Sequence, residues 1–474
     1  MNNPIRRRLW AFALALSLMP LAALSEDLTE FMVDNAATEA AAPAAVEWTL
    51  PEDPSASFDF SHLPERAVNP LIQSELDEKL AGENPPTMAR DITADVLLNG
   101  GTKLEKLRDG NYGTDYSPKM QNGARAITIE APEGETLGHL EIRWMDPVGI
   151  TVEEYDEAAG EWKFYRNFEN SFYVQYIPLN GQQKVRFYAL NNPKEKITVA
   201  EVRVLTPGEL PADVQVWESP SSKADLMLVS THPDDEVLWF GGLLPYYSII
   251  RKKNVVLVNM IPCVRKRRIE LCDCLWSMGL TAYPIFGRWP DVNTSNLEDV
   301  YKQINKIAVS SFLTAQVRKY RPDVLVLHDV NGEYGHAMHK MSSQAGRLAY
   351  EHAADPSMYP EQVEKYGTWQ VKKCYIHLYA ENQMHMNWFE PQEVFGGKSC
   401  QQMAREGMQY HKSQLINHRP WKVEDGGIHD NSLFGLYATE VGEDVAKNDL
   451  LEHLEDSGEP SPKISEDPFE CLEK

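Results

Sequence analysis

The sequence is poor in cysteine and in positive charge. Its 474 residues include only six cysteines, which is not the density of a disulfide-stapled scaffold. Lysine and arginine total 46 against 70 aspartates and glutamates, for a net charge of −24. Because a strongly acidic surface repels phosphate backbones, this composition argues against nucleic-acid binding. The chain is 43% hydrophobic, enough to bury a sizeable interior, and its length favours two domains.

Long apolar runs are absent except near the N-terminus. There, three arginines at positions 6–8 precede an apolar run over residues 9–24, which is followed by small residues. This order is typical of a cleaved export signal, so we interpret residues 1–25 as a signal peptide. An uncleaved anchor is the alternative, but the run is shorter than the roughly 20 residues that span a bilayer. The sequence therefore predicts a secreted or extracytoplasmic protein with no stable membrane span after cleavage.

The next two segments differ in their periodicity. Residues 26–88 begin rich in alanine, proline and acidic residues without a sustained period, and we interpret them as a leader or linker. From 89 to 208, short alternating runs such as Leu140, Ile142 and Trp144 are separated by turn residues. Many short strands at such spacing predict an all-β sandwich, or jelly roll.

A third pattern begins beyond a proline-bearing boundary. Residues 220–450 alternate apolar runs, such as 224–230 and 323–328, with helical patterns, of which 300–321 is the longest. This alternation predicts an α/β domain with a Rossmann-like parallel sheet and helices on both faces. Residues 451–474 form an acidic C-terminal tail.

Polar clusters follow two of the predicted strands, and ligands gather at the carboxyl ends of parallel strands. One cluster is His232-Pro233-Asp234-Asp235-Glu236, and the other is Glu333-Tyr334-Gly335-His336-Ala337-Met338-His339. Two histidines and an aspartate would give the three protein ligands that an open catalytic zinc site uses, with Asp234 free to act as a base. The alternatives are an aspartate-rich helix N-cap in the first cluster and a chance histidine pair in the second.

Together the clusters resemble the LmbE-like, or PIG-L, family of N-acetylglucosaminyl deacetylases. That family carries His-Pro-Asp-Asp-Glu after its first strand and Gly-His-x-x-His after a later one. The resemblance extends over roughly residues 224–444. It implies that His232, Asp235 and His339 bind zinc and that Asp234 is the general base.

The resemblance also implies roles for four further residues. His336, when protonated, would stabilise the oxyanion or protonate the leaving amine, and Tyr334 would help to polarise the amide. Arg267, in an arginine-led helix, and Asp291 would contact the substrate. Ala337-Met338 stands where the family more often has Pro-Asp, and we expect this to alter the orientation of the site more than metal binding.

Two shorter segments carry further resemblances. His411-Lys412-Ser413-Gln414 is similar to the family's His-x-Ser-Gln element. The loop over 107–116 resembles the early loop of discoidin-like, galactose-binding domains, in which an Asp-Gly turn helps to hold calcium. This implies a structural Ca²⁺ near Asp109, with an ordinary turn as the alternative, and a β-sandwich that binds carbohydrate.

Together with the predicted signal peptide, these resemblances imply an exported, zinc-dependent hydrolase that removes the N-acetyl group from an N-acetylated amino sugar or glycan. Two other functions stay open at this point. One is a zinc amidase that acts on another acylated amine, and the other is a non-catalytic carbohydrate-binding protein. Other divalent metals also suit histidine and aspartate ligands.

Overall fold

The computed structural model describes residues 65–415, 423 and 426–454. The signal peptide predicted for residues 1–25, most of the leader and the tail beyond residue 454 lie outside the described residues. Within the described part, no helix combines the length and apolarity needed to cross a membrane. The five cysteines described there are free thiols and four are buried, which agrees with a packing role.

The segment before residue 206 forms two antiparallel sheets. Its strands are β1 (Leu97–Asn99), β2 (Ile127–Glu130), β3 (Leu137–Trp144), β4 (Ile150–Asp156), β5 (Glu161–Phe168), β6 (Val174–Gln182), β7 (Lys184–Ala189) and β8 (Val199–Leu205). One sheet has the order β1-β2-β7-β4-β5 and the other β6-β3-β8. Apolar side chains of both sheets, such as Val152 and Phe187 from one and Ile142 from the other, share one core. The predicted all-β sandwich is confirmed.

The second part of the chain is built around a seven-stranded sheet. Its strands are β9 (Leu226–Ser230), β10 (Val255–Asn259), β11 (Ile285–Phe286), β12 (Val324–Leu327), β13 (Lys373–His377), β14 (Met384–His385) and β15 (Leu433–Thr439). In the order β11-β10-β9-β12-β13-β15-β14, the first five strands are parallel. β15 runs antiparallel to both of its neighbours. The prediction of a parallel sheet is therefore confirmed for five strands. It is wrong at the edge that contains β15 and β14, where the strands pair antiparallel and need no crossover helix.

Helices cover both faces of this sheet. The helices are α1 (Pro70–Leu80), α2 (Asp235–Leu238), α3 (Leu243–Pro245), α4 (Arg265–Ser277), α5 (Leu297–Tyr301), α6 (Lys306–Tyr320), α7 (Ala337–Ala354), α8 (Pro360–Tyr366), α9 (Cys400–Met408) and α10 (Lys412–Leu415). On β9, Leu226 and Leu228 pack into a core shared with α4 and α9. Met227 and Val229 face the opposite core, shared with α6 and α7. The predicted helices on both faces are confirmed.

The single helix predicted over 300–321 is wrong in one respect. α5 ends at Tyr301 and α6 begins at Lys306. The side chain of Asn305 accepts the main-chain N–H of Ala308 at 3.1 Å and so caps a new helix. The apolar period continues across this break, which is why the periodicity alone predicts one helix.

A buried ion pair joins the sandwich to α4. Arg143 Nη1 of β3 donates to Asp273 Oδ1 of α4 at 2.6 Å, and Arg143 Nη2 lies 3.1 Å from Glu141 Oε1. Gln215 Nε2 also donates to Asp273 Oδ1, at 2.6 Å. All four side chains are buried. Since α4 also carries Arg267, this network fixes the sandwich against a helix that borders the site described below.

We expect Arg143→Met to destabilise the fold strongly. The change leaves the carboxylates of Glu141 and Asp273 buried without their cation, and removing one partner of a buried pair costs about 3–5 kcal/mol in the free energy of unfolding. Urea denaturation measures this loss. The matched control is Asp146→Ala, which breaks the exposed Asp146–Arg265 pair between the same two parts and should cost about 0–1 kcal/mol. Equal losses in the two variants would contradict a structural role for the buried network.

Candidate metal centre

The three predicted metal ligands converge at the carboxyl ends of β9 and β12. His232 Nδ1 lies 3.1 Å from Asp235 Oδ2 and 3.3 Å from His339 Nε2. His339 Nε2 lies 3.2 Å from the same oxygen of Asp235, and all three side chains are buried. Two imidazole nitrogens and one carboxylate oxygen in a triangle of this size match the donor set of an open divalent metal site. The structure thus brings together side chains that come from two separate strand ends.

A strained turn between β9 and α2 presents two of these ligands. Asp234, at the N-cap of α2, has a φ of 121°, a value that side-chain-bearing residues rarely adopt. The main-chain N–H of His232 donates to Asp235 Oδ2 at 2.6 Å, so the turn and the ligand hold each other in place. His339 comes from the first turn of α7, whose N-cap is His336.

Asp235 and His232 are each oriented by a further hydrogen bond. Trp239 Nε1 donates to Asp235 Oδ1 at 2.7 Å, and His232 Nε2 lies 3.2 Å from Asp291 Oδ1. An Nε2–H on His232 leaves Nδ1 as the bare nitrogen that faces the centre. Asp291, which the sequence predicted to contact substrate, thus holds a ligand, while its side chain remains 41% exposed at the cavity.

His339 is held by a carboxylate that the sequence analysis did not single out. Glu333 Oε2 lies 2.6 Å from His339 Nδ1, and Glu333 Oε1 lies 2.8 Å from His328 Nδ1 and 3.1 Å from His377 Nδ1. All four side chains are buried. Glu333 therefore fixes the tautomer in which His339 Nε2 faces the centre. The one sequence signal for Glu333 was its position within the second polar cluster. The local sequence does not predict its contacts with His328 or His377.

The charges around His339 favour a cation at this centre. Burial opposes protonation of the ring, but Asp235 and Glu333 outweigh it and raise the pKa of His339 to about 10. Despite burial, the same ion pairs hold the pKa of Asp235 and of Glu333 well below the ordinary carboxyl range. A buried site with this excess of negative charge attracts a positive charge, which a divalent metal ion supplies in place of the proton. The residues present fit such an ion.

Asp234 is paired with Arg267 beside the three ligands. Arg267 Nη2 donates to Asp234 Oδ1 at 2.8 Å and also to the carbonyl of Pro233. Burial raises the pKa of Asp234 to about 7, against the opposing charge of Arg267. A carboxylate with a pKa near neutrality is suited to accept a proton. Arg267, predicted to contact substrate, borders the cavity and also orients this carboxylate.

A small polar cavity of about 110 Å³ opens beside the triangle. Its lining combines seven of the eight predicted site residues, all except His339, with three others and consists of His232, Asp234, Asp235, Leu238, Trp239, Arg267, Asp291, Tyr334, His336 and Gln414. Tyr334 is 43% exposed, and its ring centroid lies 5.6 Å from that of His336. A larger cleft of about 340 Å³, between the sandwich and the start of α4, contains none of the predicted site residues.

The surroundings of His336 disfavour its protonated form. Its Nδ1 accepts the main-chain N–H of Met338 at 3.1 Å, so the ring proton belongs on Nε2. Burial, together with the neighbouring charges of His232 and His339, lowers the pKa of His336 to about 4. These contacts favour an Nε2–H donor, and the protonated ring that the resemblance implies stays a prediction.

The loop predicted to hold calcium has the contacts of an ordinary turn. Asp109 Oδ1 accepts the N–H of Asn111 at 2.9 Å, and Oδ2 accepts the hydroxyl of Thr114 at 2.9 Å. Among the described residues, the clusters of three or more potential side-chain ligands do not include Asp109. The calcium ion near Asp109 stays a prediction.

Comparison with known proteins gives relatives for part of the chain. No protein-family model matches it. The chain is 31% identical over 173 residues to 1D-myo-inositol 2-acetamido-2-deoxy-alpha-D-glucopyranoside deacetylase 1 of Frankia alni, over 30% of this chain and 59% of the relative. A second relative of that name, from Frankia casuarinae, is 28% identical over 179 residues and 57% of its length. The chain thus spans less than two thirds of the length of these relatives.

One solved structure with weak similarity is the N,N'-diacetylchitobiose deacetylase of Pyrococcus horikoshii. It is 16% identical, covers 41% of this chain and 72% of that protein, and has a TM-score of 0.32. At this score the likeness supports no conclusion about fold or function. The fold described above rests on the strand order of the chain itself.

Proposed function

We propose that this protein is an exported, zinc-dependent deacetylase of the LmbE-like, or PIG-L, family, acting on an N-acetylated amino sugar or glycan. The observation that carries the proposal is the triangle of His232 Nδ1, His339 Nε2 and Asp235 Oδ2 with the Asp234 carboxylate beside it. Curated relatives that are named deacetylases of an acetamido sugar support the same reaction class. A site that only bound metal would need neither Asp234 nor His336.

The chemistry begins with a proton transfer to Asp234. A divalent ion held by the three ligands would polarise the acyl carbonyl and lower the pKa of a water molecule from about 15.7 towards 7. Asp234 accepts the proton of the attacking water, because burial keeps its pKa in the range where such a transfer is favourable. Arg267 holds Asp234 Oδ1 and so directs the rest of the carboxylate.

The oxyanion that develops at the carbonyl oxygen, as water adds to the acyl carbon, is stabilised by His336. Its Nε2–H is the available donor, because Nδ1 is engaged by the N–H of Met338. Losing one oxyanion donor of this kind costs about 10²- to 10³-fold in rate. A neutral imidazole is a poor acid, so the proton on Asp234 passes to the leaving nitrogen as the C–N bond breaks. Acetate and a free amine are released.

Substrate binding and location complete the proposal. Tyr334 and Asp291 border the cavity, where a sugar hydroxyl or the amide would lie, and Gln414 joins them. We propose that the β-sandwich binds the part of the glycan beyond the cleaved acetyl group, on the basis of the discoidin-like loop over 107–116. Export is proposed from the signal-like pattern of residues 1–25.

We expect acetate release from N-acetylated amino sugars to stop when the metal is removed. The protein is assayed as purified, after dialysis against a chelator, and after the dialysed sample is given Zn²⁺ again. Because the three ligands supply no redox chemistry or nucleophile of their own, activity should fall to background and return with the ion. If the chelated sample, confirmed metal-free by elemental analysis, keeps its rate, metal dependence is wrong.

The same assay separates the two alternative functions. Release of other acyl groups from amines, with none from acetylated sugars, would indicate a zinc amidase of different substrate class. Glycan binding with no hydrolysis of any acylated substrate would indicate a binding protein. Either result would overturn the proposed deacetylase.

A further inference from the structure

A buried glutamate–histidine pair lies behind the turn that presents Asp234. Glu236 Oε2 accepts the main-chain N–H of Asp234 at 2.8 Å, and Glu236 Oε1 lies 2.6 Å from His411 Nε2. Both side chains are 0% exposed. Neither lines the cavity. The pair therefore contacts the main chain of Asp234 but not the space that a substrate would occupy.

The main chain of Asp234 needs support because of its conformation. A non-glycine residue with a φ of 121° persists only where its surroundings hold it there. Its N–H is held by Glu236, and its carbonyl accepts the N–H of Val237 at 3.2 Å and of Leu238 at 3.0 Å. With both polar groups bound, the direction of the side chain is fixed. The carboxylate then reaches Arg267 and the cavity.

His411 supplies a hydrogen-bond partner that orients the Glu236 carboxylate in this buried place. A buried carboxylate needs hydrogen-bond donors, and His411 Nε2 satisfies the oxygen that does not face Asp234. His411 belongs to a segment with a second anchor, since Ser413 donates its N–H and its hydroxyl to Glu270 at 3.0 and 2.5 Å. Of these two anchors, the contact through Glu236 is the one that reaches Asp234.

We propose that Glu236 and His411 are positioning residues for Asp234. The inference rests on the proposed function, in which Asp234 is the base. Glu236 holds the left-handed turn through the Asp234 N–H, and His411 holds Glu236. The base is thereby kept at the distance and angle that proton transfer requires, without either residue touching substrate.

The test is a comparison of Glu236→Ala with Glu236→Gln in the full-length, metal-loaded protein. Glu236→Ala removes the acceptor of the Asp234 N–H, so the turn can relax. We expect kcat to fall by about 10²-fold, the effect of a displacement near 1 Å, with KM and metal affinity close to wild type. In Glu236→Gln the amide oxygen still accepts the Asp234 N–H and the amide N–H donates to a neutral His411. This variant should restore most of kcat.

Glu270→Ala is the matched control. It also removes a buried carboxylate that anchors the segment containing His411, but one that makes no contact with the Asp234 main chain. Its loss of kcat should be clearly smaller than that of Glu236→Ala. Equal losses in these two variants, or a Gln variant as impaired as the Ala variant, would overturn the proposal. Should Glu236→Ala not fold, Glu236→Asp withdraws the acceptor by one methylene and should lower kcat by about tenfold without changing KM.

Hydrogen–deuterium exchange supplies a readout that does not depend on activity. The Asp234 amide should be protected in wild type and in Glu236→Gln and should exchange faster in Glu236→Ala. If the wild-type protein releases no acetate, the proposed function is contradicted. The exchange pattern still tests the contact between Glu236 and the Asp234 amide in that case. Unchanged exchange and unchanged kcat in Glu236→Ala would overturn the positioning role itself.

Discussion

Asp234→Asn is expected to lower kcat for acetate release by about 10²- to 10⁴-fold, the usual contribution of a general base. Asparagine has the same shape and can still accept from Arg267, but it does not take a proton from water at neutral pH. The three ligands are untouched, so the protein should keep its metal. Initial rates over a range of substrate concentrations, with metal content measured on the same sample, give the result. KM should change little, since the lost interaction is made in the transition state.

Two comparisons make this test specific. Asp291→Asn alters a second carboxylate that borders the cavity, but this one contacts His232 and not the attacking water. The substitution should therefore lower metal affinity more than kcat. Asp234→Ala, which also breaks the pair with Arg267, should be at least as impaired as Asp234→Asn. A full rate in either Asp234 variant would show that the base lies elsewhere.

Glu333→Gln is expected to weaken metal binding by about 10- to 100-fold, the range found when an outer partner of a ligating histidine is changed. The amide cannot accept from His339 Nδ1 with the strength of a carboxylate, and it removes the negative charge that His328 and His377 also contact. His339 should therefore be less well oriented and less basic in this variant. Competition with a chromogenic chelator measures the affinity directly, independently of any substrate.

A matched control separates this effect from a general loss of stability. Asp444 is a buried carboxylate of the same domain that binds Lys373 and Tyr375. Asp444→Asn should lower the unfolding midpoint while leaving metal affinity near wild type, because its partners are not part of the candidate metal centre. If Glu333→Gln bound metal as tightly as wild type, the orienting role assigned to Glu333 would be wrong.

The structure changes the roles of several predicted residues without moving them away from the cavity. Arg267 and Asp291 were expected to contact substrate, yet they also hold Asp234 and His232. His336 was expected to be a cation, and this stays a prediction, since burial and the charges of the two neighbouring histidines lower the pKa of its ring. Spacing along a chain indicates which side chains reach a site, but their hydrogen-bond partners there decide their charge and orientation.

The fold shows the same division between features that the local sequence predicts and features that depend on the rest of the chain. Periodicity predicted the sandwich, the buried strands that correspond to β9 and β12, and helices on both faces of a parallel sheet, because each follows from which residues must be buried within a short window. It did not predict the antiparallel strand β15, nor the break between α5 and α6, where the side chain of Asn305 caps a new helix although the apolar period continues. Strand direction at an edge depends on how the chain returns to the sheet, which a local pattern does not contain.

For this protein, the sequence alone supplied the candidate ligands and base, since His232, Asp234 and Asp235 stand directly after one buried strand and the resemblance to the LmbE-like family pointed to His339 after another. Only the tertiary structure decided how they are held. Glu333 meets His377 from 44 positions away, and Glu236 meets His411 from 175 positions away. Such contacts depend on the three-dimensional path of the chain. Local burial patterns place residues at a strand end, but long-range packing selects the partners that set their geometry and protonation.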